Sequence, residues 1–220
     1  MPPDTAAWSA AGVGRLASEL GLALAPAQID ALLGFLQLLQ RWNATYNLTA
    51  VRDPADMLVQ HVADCLAVVG PLQRQLASAP ASRVLDVGSG GGLPGVVVAI
   101  ALPAVDVTCV DAVGKKAAFV RQAAAELRLP NLHAVHVRVE DLRAPAFDLI
   151  TSRAFASLAD FTRLTRRHMA PGGVWMAMKG KMPLDEQQAL PPDVDVFHVE
   201  PLTVPDLNAE RCLVWMKPNS

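Results

Sequence analysis

The segment Asp86-Val87-Gly88-Ser89-Gly90-Gly91-Gly92-Leu93-Pro94-Gly95 constrains this chain more than any other. It continues a short apolar run, Arg83-Val84-Leu85-Asp86-Val87, which reads as a buried strand bounded by turn residues. Glycines directly after a strand let the backbone turn tightly and approach a ligand where side chains would collide. From about Pro94 the pattern becomes helical, and a second strand over 105–110 ends at Asp111. A helix over 114–128, strands over 132–137 and 147–150, a helix over 157–168 and a strand over 174–178 continue the alternation. Such alternation implies right-handed crossovers and a parallel sheet covered on both faces. The last two strands, 194–199 and 212–216, have no helix between them and are expected to pair antiparallel. The expected class is α/β and Rossmann-like, with a seven-stranded, mostly parallel sheet and an antiparallel last strand.

Residues 1–75 read as a helical segment packed on the core, and residues 76–220 as the Rossmann-like domain. Ser9 caps a first helix that Gly21 stops, and Pro26 opens a second with Ile29, Leu32, Leu33, Leu36 and Leu39 on one face. Asp53-Pro54 opens a third, with Leu58, Val62, Cys65, Leu66 and Val69 as its apolar stripe. At 220 residues and 52% hydrophobic, the chain can bury one substantial core, which argues against disorder. No apolar run approaches the roughly 18 residues of a membrane span, and Met1-Pro2-Pro3-Asp4 does not resemble a signal peptide. Cys65, Cys109 and Cys212 are odd in number, widely spaced and without a Cys-x-x-Cys pair. That usage fits reduced, buried thiols in a cytoplasmic protein, with neither a disulfide framework nor a metal site.

The glycine segment has two registers. Gly90-x-Gly92-x-x-Gly95 matches a dinucleotide fingerprint, with Asp111 near the distance of a ribose-binding acid. Asp86-x-Gly88-x-Gly90-x-Gly92 is the other, and electrostatics favour it. A pyrophosphate at this turn would be repelled by Asp86, whereas the ammonium and sulfonium of S-adenosylmethionine would be attracted. Asp111 can accept from ribose hydroxyls in either register. Val139-Glu140-Asp141, after the third strand, stands where an adenine would lie, although helix capping explains the acids equally well.

Together with this segment, Trp42-Asn43, Asn47-Leu48-Thr49, His61-x-x-Asp64, Arg138-Val139-Glu140, Ser152-Arg153-Ala154-Phe155-Ala156-Ser157-Leu158 and Met178-Lys179-Gly180 occur in order. In these motifs, from about residue 35 to 181, the chain resembles the bacterial 16S ribosomal RNA guanine-N7 methyltransferase family, once called glucose-inhibited division protein B. The resemblance implies a class I S-adenosylmethionine-dependent enzyme acting on N7 of the guanine at position 527 of 16S rRNA. It also implies that Gly88, Leu93, Val139, Glu140 and Arg153 contact the cofactor. Cys65 departs from the serine usual after the aspartate of His-x-x-Asp.

Residue chemistry is compatible with that reaction. Exocyclic amine methylation usually calls for an Asn/Asp-Pro-Pro-aromatic loop after the fourth strand, where this chain has Thr151-Ser152-Arg153-Ala154-Phe155. Pyrimidine C5 methylation calls for a cysteine nucleophile, and the nearest, Cys109, lies inside the second strand. Guanine N7 has a lone pair and no proton to lose, so positioning and desolvation suffice. No catalytic acid or base is therefore assigned. The expected cofactor set is Asp86, Gly88, Gly90, Gly92, Leu93, Asp111, Val139, Glu140 and Arg153, with Arg153 and Lys179 as substrate-side cations. Phe155 could stack on an extruded guanine or belong to the core. His61 and Asp64 read as helix packing against Asn47–Thr49 ahead of a catalytic dyad. Lys115, Lys116 and Arg121, and Arg163, Arg166, Arg167 and His168, form basic clusters that also suit ordinary solvated helix faces. A net charge of −2 gives no support to RNA binding by bulk charge. The expected partner is 16S rRNA or the small ribosomal subunit, met by a single copy of the chain with no membrane involved. A dinucleotide oxidoreductase, a small-molecule methyltransferase and a binding module without methyl transfer are the competing expectations.

Overall fold

In the computed structural model, which describes residues 8–77, 82–153, 155 and 157–219, the apolar run after residue 82 forms β1 (Arg83–Val87) near the middle of a seven-stranded sheet. The other strands are β2 (Asp106–Asp111), β3 (Leu132–His136), β4 (Phe147–Ser152), β5 (Met169–Lys179), β6 (Val194–Leu202) and β7 (Arg211–Pro218). Their spatial order is β3-β2-β1-β4-β5-β7-β6. β1 pairs in parallel with β2 and β4, β3 with β2, and β5 with β4. Only β7 runs against its neighbours, β5 and β6. The expected class and the reversed last strand are both found. Successive connections leave β1 in opposite directions across the sheet, which opens a crevice at the carboxyl ends of β1 and β4.

The helices are α1 (Ala10–Glu19), α2 (Pro26–Tyr46), α3 (Pro54–Met57), α4 (Asp64–Leu66), α5 (Val69–Leu76), α6 (Gly95–Ala101), α7 (Gly114–Glu126), α8 (Leu158–Thr165) and α9 (Leu184–Gln188). Ser9 Oγ accepts from Gly12 N, and Asp53 Oδ1 from Asp56 N, so the expected caps are in place. Element bounds differ modestly from expectation. β5 begins at Met169 because its register against β4 shifts between Phe147 and Leu149, which takes Pro171-Gly172-Gly173, turn-like in sequence, into the strand.

The third expected helix is not one regular helix. Between α3 and α4 the backbone winds as a π-helix over Leu58–Ala63, and Ala67 and Val68 separate α4 from α5. Counted through these changes, Pro54–Leu76 is 23 residues, and its most apolar window has a mean hydropathy of 1.2. Among the described residues it is the one helical run long and apolar enough to cross a membrane, which corrects the expectation that no such run exists. Its most apolar window is 67% buried inside the fold, and Met57, Val62, Cys65 and Leu66 lie in the main core.

That core is continuous from the N-terminal helices to the sheet. Phe35 and Leu39 of α2 share it with Val96 and Val97 of α6 and Phe119 of α7. The rings of Phe35 and Phe119 are 6.2 Å apart, and Trp42 meets Phe119 edge-on at 5.6 Å. Gln28 adds a polar tie, its Nε2 donating to Ile100 O and Ala101 O at 2.8 and 3.0 Å. These bonds satisfy carbonyls that the end of α6 would otherwise leave open.

Phe35→Ala should lower the unfolding free energy by about 3–5 kcal/mol while leaving a single transition. Calorimetry checks both parts; two separable transitions would show that residues 1–75 fold as an independent unit.

Candidate active site

The glycine loop is fixed from two sides. Gly88, Gly90 and Gly92 have φ of 66°, 57° and 76°, the left-handed region that side chains disfavour. From below, Asp86 Oδ2 accepts from Gly95 N at 2.9 Å at the start of α6. A Cβ at Gly95 would sit 2.4 Å from Cys109 Sγ and 2.8 Å from Asp86 Oδ2, so only glycine lets α6 approach β1 this closely. From the side, Asp111 Oδ2 accepts from Gly90 N at 2.9 Å, and its Oδ1 from Val113 N at 2.8 Å.

Asp86 is fully buried, and its Oδ1 has no hydrogen-bond partner. Burial raises its pKa from 3.8 to about 7, against the lowering effects of the Gly95 N–H and of Arg153. The sequence argument set this carboxylate against the cations of a ligand. Its actual contact is with the loop backbone beneath the site, because the strand pleat turns Asp86 toward α6.

A cleft of about 260 Å³ opens above the loop, lined by Gly88, Asp111, Val139, Glu140 and Phe155 among others. Four expected cofactor residues thus come together, from the ends of β1 and β2 and the turn after β3. A Cβ at Gly88 would meet nothing within 4 Å, so the backbone here faces open space. In the 3₁₀ turn Val139–Asp141, His168 Nε2 binds Val139 O at 2.7 Å and Arg167 Nη1 donates to Glu140 O at 2.9 Å. These bonds tie the turn to the segment after α8. Two carboxylates, Asp111 and Glu140, against one cation, Arg138, with apolar Val139 and Phe155, suit an adenosine carrying a positive charge. Leu93 belongs to the core instead, under the loop. Phe155 lines this cleft and packs on Phe161 at 5.6 Å.

Arg153 lies in a neighbouring pocket of about 360 Å³, lined also by Gln60, His61, Asp64, Lys179 and Arg211. Its Nη1 donates to Gln60 O at 3.0 Å and lies 3.5 Å from Asp64 Oδ2. Arg211 Nε donates to the other oxygen, Asp64 Oδ1, at 2.8 Å. Lys179 meets both oxygens of Glu186, at 3.0 and 2.8 Å, and Glu186 also accepts from Leu158 N at the start of α8. His61 Nε2 is 2.9 Å from Thr49 Oγ1. Burial first, and Arg153 second, lower the His61 pKa to about 4, so its ring is neutral near pH 7. The packing of His61 against Asn47–Thr49 is therefore found, while Asp64 turns to the two arginines. Arg211, Gln60 and Glu186 escaped the sequence argument. The only available signal was an arginine opening the last strand, Glu210-Arg211-Cys212. Ala154 and Ala156, two positions of the motif around Arg153, lie outside the described residues.

Several of the other candidate groups have structural partners. Arg163 pairs with Asp160 at 2.7 Å, and Arg166 with Asp193 at 2.7 Å. All three cysteines are buried and free, and burial pushes the Cys65 and Cys109 thiols well above their usual range, so neither is poised as a nucleophile. Among the described residues no cluster of three or more His, Cys, Asp or Glu could hold a metal.

Sheet order, glycine loop and adenosine-type cleft together define a Rossmann-like, S-adenosylmethionine-dependent methyltransferase. Solved structures with this fold include an S-adenosylmethionine-dependent methyltransferase from Aquifex aeolicus, with a TM-score of 0.56 at 14% identity over 77% of this chain and 96% of that one. TrmN from Thermus thermophilus has a TM-score of 0.55 at 24% identity over 70% of this chain, which spans about half (48%) of the TrmN chain. The family model for rRNA small subunit methyltransferase G matches residues 28–214, and the chain belongs to that family. Ribosomal RNA small subunit methyltransferase G of Acidovorax sp. is 61% identical over 209 residues, covering 92% of each chain. Its counterpart in Methylibium petroleiphilum is 56% identical over 216 residues, 98% of this chain and 97% of that one. The dinucleotide oxidoreductase expectation falls with this membership.

Asp86→Asn should change how stability depends on pH. Because burial lifts the folded pKa above the unfolded value, this group's contribution is present below about 3.8 and falls as pH rises through about 7. Asparagine keeps an acceptor for Gly95 N and removes that slope. Denaturant titrations from pH 4 to 8 should show the variant gaining on the wild type as pH rises. Asp86→Ala, which loses the acceptor, should be less stable at every pH.

Proposed function

We propose that this protein methylates N7 of the guanine at position 527 of 16S rRNA, as free rRNA or within the small ribosomal subunit, using S-adenosylmethionine. The observation that carries the reading is the pair of unlike pockets at the end of β4. One offers glycine backbone, Asp111 and the Val139–Glu140 turn, and the other offers Arg153, Arg211 and Lys179. The first suits a cationic adenosine derivative, and the second an anionic polynucleotide. The family relationship supports the RNA class, and the motif resemblance supports the atom and the position.

In this reading Gly88, Gly90 and Gly92 supply backbone contact and Asp111 the ribose acceptor. Val139 and Glu140 flank the adenine, while Asp86 and Leu93 support the loop from beneath. The bound cofactor supplies an electrophilic methyl group on a sulfonium centre. Guanine N7 attacks with an in-plane lone pair and releases no proton, so the chain's part is to orient the base and exclude water. The neutral ring of His61 and the paired state of Asp64 agree with a site that moves no proton. Arg153 and Lys179 stand on the substrate side and can meet RNA phosphate, and Arg153 is also the cation set against the cofactor. We place residues 1–75 with the core as one wall of the substrate pocket, and the protein in the cytoplasm with its substrate, as a single copy.

The test is transfer of labelled methyl groups to bacterial small subunits and to free 16S rRNA, with the modified base mapped. Label at N7 of that guanine is expected; label elsewhere, or none despite cofactor binding, overturns the reading. Asp111→Asn should raise the cofactor Kd about tenfold or more, read by calorimetry, because it weakens both the ribose acceptor and the loop tie.

A further inference from the structure

We propose that a groove beside the substrate pocket, between Gly180–Met182 and the loop joining β6 to β7, takes the unstacked bases that adjoin the target guanine in single-stranded RNA; this rests on the RNA reading above. The groove consists of two connected cavities, of about 690 and 500 Å³. They share Gly180, Lys181, Leu202, Glu210 and Arg211, and two of these, Gly180 and Arg211, also line the substrate pocket. A Cβ at Gly180 would come no nearer than 4.0 Å to Glu210 O, so the backbone at the junction of pocket and groove stands in open space.

The target atom dictates what such a groove must do. Guanine N7 lies on the major-groove edge of its base. In an A-form helix that groove is too deep and narrow for a protein to enter, so the base must come from a single-stranded or splayed segment. Its neighbours then lose stacking partners, and their apolar faces need cover. Leu202, Val204, Leu207 and Met182, which is 54% exposed, give the groove apolar walls. Among the described residues Thr203 Oγ1, the Asn208 amide and Lys181 Nζ have no hydrogen-bond or ion-pair partner. An amide carries donors and an acceptor, so Asn208 can meet the polar edge of a base. Lys181 and Glu210 offset one another, and Arg211 is turned to Asp64, so the groove fits bases better than a track of phosphates.

The groove is built by the fold before any ligand arrives. Val204 packs in a small core with Leu16 of α1 and with Ala63 and Ala67 of the helical run, and Leu202 and Leu207 lie against it. Arg15 of α1 pairs with Asp206 in the loop, and Arg74 pairs with Glu200 of β6. Leu207 N donates to Val204 O at 3.2 Å and closes the loop on itself. A floor held by α1 has little ordering to lose when a base enters. Continuity with the pocket that receives the guanine favours RNA over a protein segment as the occupant.

Ala209 lines the groove, is exposed, and belongs to neither the cofactor cleft nor the substrate pocket, so Ala209→Leu narrows the groove alone. The experiment compares full-length wild type and Ala209→Leu for affinity to a 16S rRNA fragment containing the target loop. The fragment is used intact and with abasic sites beside the guanine, and cofactor Kd and methylation of small subunits are measured alongside. We expect Ala209→Leu to bind the intact fragment about tenfold more weakly and to raise the KM for subunits similarly. The abasic fragment should cost the wild type about the same factor and Ala209→Leu little more, because both changes remove one interaction. The slope of affinity against salt should stay the same, since no phosphate contact is lost. Cofactor Kd should stay within about twofold. Unchanged or tighter binding by Ala209→Leu, a loss that adds in full to the abasic loss, or a smaller salt slope overturns the proposal while wild-type methylation stands. A loss seen with subunits but not with the fragment, or a wild type that labels subunits without binding the fragment, overturns it as well and assigns the groove to a ribosomal protein. A wild type that neither binds the fragment nor labels subunits overturns the RNA reading and this proposal with it.

Discussion

A buried carboxylate under a glycine loop is the constraint on which the rest of the site depends. Taking Asp86 out of water is unfavourable unless its oxygens find donors, and one of them takes the first amide of α6. That bond is possible only because residue 95 has no side chain, which lets α6 lie against β1 and Cys109. With α6 so placed, the loop between has little freedom, and Asp111 removes more by holding Gly90 from β2. The cleft above the loop is therefore formed by core packing. A ligand entering it would not have to organise it, which lowers the ordering cost of binding.

The parts of this arrangement legible in the sequence are those coded by neighbours in the chain. Strand β1 and its glycines, the acids ending β2 and following β3, and the caps at Ser9 and Asp53 depend on local pattern and local turn chemistry. What was illegible depends on contacts between distant residues. Asp86 gave a correct motif and an incorrect geometry, because a sequence does not say on which side of the sheet a strand residue turns. Arg211 is 147 residues from Asp64, and nothing in the spacing of either suggests the other. The π-helical stretch Leu58–Ala63 carries no compositional mark, since its apolar residues suit an α-helix equally. Lys179 lines the pocket, but its pairing with Glu186 required α9, a five-residue helix too short to show a period.

The N-terminal helices make sense in these terms as part of the enzyme's wall and not as an appendage. α2 covers α6 and α7 with Phe35, Leu39 and Trp42, and the turn after it delivers Thr49 to His61. Asn43 shapes that turn, accepting from Thr49 N at 2.9 Å and donating to Val51 O at 3.2 Å. The helical run that follows brings Gln60, His61 and Asp64 to the carboxyl end of the sheet, where a Rossmann-like core alone would have an open rim. Burial of its apolar face in the core fixes the polar face over the pocket. Stability and the geometry of the pocket thus share the same helical run.

Charge shows why a global quantity misled and local ones did not. A net charge of −2 speaks against a polyanionic partner only if charges are spread evenly. Here Arg15, Arg74, Arg163 and Arg166 pair with carboxylates at the surface, away from the pocket, and such exposed pairs contribute little field beyond a screening length. Arg153, Arg211 and Lys179 line the pocket beside the cleft; Asp64 is buried beneath the two arginines, while Glu186, tied to the start of α8, is 31% exposed against 17% for Lys179. At Asp64 an approaching anion meets the exposed ends of the two arginines before their buried counterion. The two arginines around Asp64 therefore present a locally positive face even though the molecule as a whole is weakly negative.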